Sequence, residues 1–79
     1  MLLTYDPKHN VAYLRLHERT EQVETVQVSD ELNVDIAPDG TVYGIEFLNA
    51  NEQLASEDQG KLVVVNEQLG ERGAVRLVG

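Results

Sequence analysis

Residues 32–50 read LNVDIAPDGTVYGIEFLNA, and this stretch decides the fold. Leu32, Val34 and Ile36 alternate with Asn33 and Asp35, which is the period-2 pattern of a half-buried strand. After a break, Tyr43, Ile45 and Phe47 alternate with Val42, Gly44 and Glu46. The break is Pro38-Asp39-Gly40. Proline presets φ, aspartate bonds its own backbone, and glycine takes positive φ without steric cost. Two antiparallel strands follow, in the register that puts the two apolar sets on one face: Leu32 opposite Phe47, Val34 opposite Ile45, Ile36 opposite Tyr43. A slip of one residue would set Glu46 beside Leu32 on the core face. This register allows a four-residue loop, Pro38 to Thr41, or a two-residue Asp39-Gly40 turn. The other face carries Asn33, Asp35, Gly44 and Glu46. It reads either as a solvated sheet face or as a small acidic patch for a cation or a basic partner.

Charge sharpens the second reading. The chain has 79 residues and a net charge of −8. Residues 20–60 hold ten Asp and Glu and no Lys or Arg, whereas residues 1–19 and 61–79 each carry +1. Such a field repels nucleic acid, whose binding rests on cationic contacts to phosphate, and attracts a basic protein. There are no cysteines, so disulfides and thiolate metal sites are excluded, and a cytoplasmic location is expected. The start, MLLTYDPKHN, lacks a basic segment followed by a long apolar run, so no signal peptide is expected. The longest apolar run, Leu62 to Val65, is far short of a membrane span. A chain of this length buries only about 60–65% of its unfolded surface, so self-association is the expected source of extra stability.

Working outward, Leu2 to Tyr5 reads as a strand, Asp6 to Asn10 as a turn, and Val11 to Glu18 as a second strand. Its core face is Ala12, Leu14 and Leu16; Val11, Tyr13, Arg15 and His17 point the other way. Val23 to Val28 reads as a third strand with Val26 and Val28 inward. Asn49 with Glu52 three residues on resembles a capping box, predicting a helix from Ala50 to about Glu57 with Gly60 past its end. Lys61 to Val65 and Ala74 to Val78 form a C-terminal hairpin around the loop Asn66 to Gly73. The fold class is mainly β, with α+β as the alternative. The architecture is a four-stranded antiparallel meander, a short helix and a C-terminal β-hairpin, in one small domain of residues 1–79.

Chemistry is sparse. His9 and His17 lack partner spacing for a metal site, which needs three or more converging ligands. Neither Ser29 nor Ser56 lies in a nucleophile-elbow pattern. The glycines are scattered, so no phosphate-binding loop exists. No catalytic residues, metal site or cofactor are assigned. Asp35, Glu46, Asn33 and Asp39 are the candidate partner-binding residues.

Several pieces together carry a resemblance: Tyr5-Asp6-Pro7, then Ala12-Tyr13-Leu14-Arg15-Leu16, then Val34-Asp35 with Asp39-Gly40, and Gly44-Ile45-Glu46-Phe47-Leu48-Asn49-Ala50. Over residues 3–50 the chain resembles the small bacterial family called domain of unknown function 2283. Residues 51–79 are then a C-terminal extension. The sequence departs from that pattern at Lys8-His9-Asn10-Val11 and ends in a hairpin rather than a longer helix. The resemblance implies a β-rich module with no catalytic residues to carry over, and an antitoxin-like or regulatory role beside a toxin-like protein. The expected function is a non-enzymatic protein-interaction module that offers an acidic face to a basic partner and self-associates. The alternative is a small metal- or ligand-binding protein, or a hydrolase, using the same face.

Overall fold

A computed structural model describes residues 1–79. Alternating apolar and polar residues produce five short strands: β1 (Leu2–Asp6), β2 (Val11–Arg15), β3 (Glu24–Ser29), β4 (Leu32–Ile36) and β5 (Val42–Leu48). They form one antiparallel sheet in the order β1-β2-β5-β4-β3. The mainly β expectation holds, but the sheet has five strands rather than four. It is also not a simple meander, since β2 pairs with β5 and not with β3. Residues 16–23 carry the chain from β2 to the far edge, giving three hairpin-linked strands and one that returns beside them, a Greek-key order. Leu14 fits against Ile45 and Ala12 against Phe47, so β2 completes the apolar face better on β5 than β3 would.

The register aligns one apolar row across all five strands: Leu3, Leu14, Ile45, Val34 and Val26. Leu32–Phe47 and Val34–Ile45 pair as expected, but a bulge near the turn sets Ile36 opposite Val42. Tyr43 becomes the extra residue, and its side chain leaves the expected core face for a recess beside His17 and Asp35. One added residue in one strand reverses facing locally. The loop closes on neither expected length. Ala37 N–H donates to the Thr41 carbonyl at 2.9 Å and Gly40 N–H to the Ala37 carbonyl at 2.9 Å. This is a three-residue loop with Gly40 at φ +92°, the conformation glycine adopts freely.

β3 is an edge strand and exposed throughout: Val26 lies on the apolar face opposite Val34 as expected, though still 40% exposed, whereas Val28, 59% exposed, is not inward. A second bulge between Gln27 and Ser29 takes Val28 out of the alternation.

The helix α1 covers only Ala50–Gln53, shorter than expected. Gln53 turns its side-chain amide onto the Leu48 and Glu31 carbonyls, and Ser56 Oγ donates to the Gln53 carbonyl, which ends the turn. The capping box does not form either. Asn49 is left-handed (φ 51°) and makes no side-chain cap bond. The cap comes from a distant residue: Asn10 Oδ1 accepts the Asn51 N–H at 2.7 Å. Asn10 sits at φ 59° in the β1–β2 turn, so one asparagine serves both turn and helix.

After a 3-10 turn at Asp58–Gly60 come β6 (Lys61–Asn66) and β7 (Glu71–Arg76), a separate two-stranded ribbon. Its loop is shorter than expected: Gly70 (φ 69°) closes it, with Gly70 N–H donating to the Asn66 carbonyl, while Gly73 lies within β7. Only five residues are buried, among them Ala12, Ala37 and Ala50. No large side chain is fully enclosed. No helix is long and apolar enough to cross a membrane.

Candidate functional site

The polar face of the sheet is built from two cross-strand rows. One runs Arg15, Gly44, Asp35, Thr25 across β2, β5, β4 and β3; the other runs Tyr13, Glu46, Asn33, Gln27. Strand alternation alone brings Asn33, Asp35 and Glu46 together, as the sequence indicates. Asn33 Nδ2 donates to Glu46 Oε1 at 2.9 Å. Asp39 lies apart at the hairpin loop, where its carboxylate accepts the Thr41 N–H at 2.9 Å.

Asp35 is the centre of the face. Its side chain is 14% exposed. Tyr13 Oη donates to Oδ2 at 2.7 Å and Thr25 Oγ1 to Oδ1 at 2.6 Å, while Arg19 reaches Oδ2 at 3.5 Å from the β2–β3 connection. Burial pushes the Asp35 carboxyl up, but the Thr25 and Tyr13 hydroxyls and the Arg19 charge outweigh it and hold it below its ordinary 3.8. Tyr13 is pushed up to about 12 by burial and by its bond to Asp35. Near neutral pH the pair is a fixed carboxylate with a phenol donating to it, an arrangement with no free base and no activated nucleophile.

Gly44 makes this contact possible. Tyr13 starts opposite Glu46 and must cross Gly44 to reach Asp35. A Cβ at Gly44 would collide with the Tyr13 hydroxyl. The missing side chain is the space the phenol fills. A glycine inside a strand pattern was the one local signal for this; the 22-residue separation of Tyr13 and Asp35 hid the pairing itself. Sequence reading also missed Thr25 and Arg19: Thr25 meets Asp35 through the β3–β4 register, and Arg19 reaches it from the β2–β3 connection that crosses the sheet. Around Asp35 the recess is lined by Tyr13, Arg15, His17, Arg19 and Tyr43. His17 and Tyr43 meet edge to face at 5.9 Å. The face therefore carries carboxylates with cations at one end. No group of three or more His, Asp or Glu side chains converges in a way that could hold a metal ion. His9 lies elsewhere, bonded through Nδ1 to Asp6 at 2.6 Å in the β1–β2 turn.

Fold and site together define a small antiparallel β module whose polar face holds a pre-set carboxylate. The model of the family described as "Protein of unknown function (DUF2283)" matches residues 2–51, and the chain belongs to that family. The matched part is the five-stranded sheet with the first residues of α1; the β6–β7 ribbon lies beyond it. No curated protein and no solved structure matches the chain.

Proposed function

We propose that the protein is a non-enzymatic interaction module of the cytoplasm that self-associates and docks a basic protein partner, in the manner of an antitoxin, on the polar face of its sheet. The observation that carries this is the state of Asp35 and Glu46. Neutral donors, Tyr13, Thr25 and Asn33, hold both carboxylates in position, so no reorganisation is needed when a cation arrives. Both belong to residues 20–60, which contain no Lys or Arg. Arg19, 60% exposed and 3.5 Å from Asp35, occupies the place a partner's guanidinium would take. Asn33 extends the patch, and Asp39 adds charge at its end for steering.

An arginine-rich peptide titrated into labelled protein tests this. Amide shifts should concentrate at residues 33, 35 and 46 and weaken as salt rises, because the screening length falls from about 10 Å at 0.1 M to about 3 Å at 1 M. Asp35→Asn combined with Glu46→Gln should reduce affinity about tenfold or more. Equal binding by both proteins, or shifts spread evenly over the acidic surface, would remove the polar face from the proposal.

A further inference from the structure

The chain is too open for its size. A folded monomer of this mass exposes about 4,800 Å², whereas this one exposes 5891 Å². Its radius of gyration is 14.0 Å, against about 11.6 Å for a compact chain of this length. The excess surface, about 1,100 Å² per chain, would amount to about 2,200 Å² if two copies covered it for each other, which is the range of stable homodimers.

Five of the nine exposed large apolar side chains lie in residues 61–79. No hydrogen bond joins residues 61–79 to residues 1–57, so the β6–β7 ribbon projects as an arm from Gly60. Pairing puts Leu62 and Val64 of β6 and Val75 of β7 on one face of that arm. They are 40%, 62% and 61% exposed. Between this face and the sheet lies an apolar groove of about 350 Å³, walled on the sheet side by Leu3, Leu14 and Phe47. The apolar row runs on from Leu14 through Ile45 and Val34 to Val26, which is still 40% exposed. The arm's cations, Lys61, Arg72 and Arg76, lie on its other face with Val63 and Val65, so the Leu62–Val64–Val75 face carries none of them.

We infer that two copies exchange arms about a two-fold axis, each laying the Leu62–Val64–Val75 face of β6–β7 along the partner's groove and on toward Val26. The surface is self-complementary, as an isologous dimer requires. This deepens the self-association part of the function proposed above and uses the opposite face from Asp35, so the two stand or fall separately.

Sedimentation of the 79-residue chain from low micromolar to millimolar concentration tests it, with variants on both faces of the arm. Wild type should be a dimer. Val64→Glu should raise the dissociation constant at least about 100-fold, because each dimer carries two unpartnered buried charges. Its circular dichroism should not change, since Val64 is exposed in the single chain. Val65→Glu, on the other face of the arm, should leave the dimer intact. If Val64→Glu fails to fold, Val64→Thr should still weaken the dimer measurably. In an equimolar mixture of Val64→Cys and Val26→Cys chains, a short thiol cross-linker should give a mixed species in excess of that from either alone, as the protein has no other cysteine. Monomeric wild type at millimolar concentration overturns the inference. So does a dimer indifferent to Val64 but broken at Val65, or the absence of the mixed species. None of these outcomes bears on peptide binding at Asp35 and Glu46.

Discussion

The five-stranded body and the two-stranded arm contain similar strands held in different ways. In the body, side chains tie elements far apart in sequence: Tyr5 Oη donates to Asn51 Oδ1 at 2.6 Å, Asn10 caps α1, and Tyr13 and Thr25 close on Asp35. In the arm the ties are local. Leu77 and Val78 N–H groups donate to the Gly60 carbonyl, and Arg76 reaches the Gln59 carbonyl at 3.3 Å. A two-stranded ribbon is at best marginal by itself in water, so the body can hold its shape alone while the arm depends on what covers it. The family model follows the same line, matching residues 2–51 and leaving the arm outside.

Identical substitutions in the two regions should break this comparison most sharply. Gly44→Ala puts a methyl where the Tyr13 hydroxyl lies and so should uncouple Tyr13 from Asp35. We expect a loss of about 2–4 kcal/mol, from overpacking plus a carboxylate left short of a donor. Gly73→Ala, in the middle of β7, meets no atom within 4 Å and should change stability by no more than about 0.5 kcal/mol. Urea midpoints of the two variants decide it. If they coincide, the body is no more tightly specified than the arm.

The next effect is smaller and lies within the body. Asn10 and Asn49 are both left-handed, at φ 59° and φ 51°, so glycine fits either backbone. Only Asn10 caps the helix. Asn10→Gly should therefore cost about 1 kcal/mol through the lost Asn51 contact, and Asn49→Gly only a few tenths. Thermal melts in which Asn49→Gly is the more damaging would restore the local cap.

These two cases mark what the chain discloses directly. Strand existence, the Val34–Ile45 register, the Gly40 turn and the grouping of Asn33, Asp35 and Glu46 depend on spacing within about twenty residues. Alternation and turn chemistry report that scale. The position of β3, the Asn10 cap and the Tyr13–Thr25–Asp35 cluster depend on which strands become neighbours. Two placements of β2 satisfy the same alternation, and only packing Leu14 on Ile45 and Ala12 on Phe47 separates them. The Tyr43 bulge escaped for a related reason. An extra residue leaves the pattern of each strand intact and alters only the match between them. Asn49-Ala50-Asn51-Glu52 has the spacing of a capping box, but Asn49 had already taken the left-handed turn out of β5. In that conformation its side-chain amide bonds the Glu52 carboxylate at 3.0 Å but caps no backbone N–H of the helix.

The last expected effect is in pH, and it again separates body from arm. Asp35 is held below 3.8, so the stability it contributes is complete above that value and is lost as pH falls through its folded pKa. Asp6, lowered by its bonds to His9, and Asp39, lowered by the Thr41 amide, act in the same direction from exposed turns. The acid edge therefore has several sources. The alkaline edge is cleaner. Tyr13 rises from 10.0 to about 12, so its contribution is complete below pH 10 and fades as pH climbs toward 12. Ultraviolet titration of the phenols should show one of the three tyrosines ionising last, and Tyr13→Phe should abolish that late step. The same variant should lift the Asp35 carboxyl, read by carbon-13 shifts of its side chain, because a donor is lost. Asp35→Asn should bring the late tyrosine back toward its ordinary value, while Val64→Glu in the arm should alter neither titration. If the late tyrosine survives Asp35→Asn unchanged, burial alone sets it, and the Tyr13–Asp35 bond is not what holds the body's polar face in place.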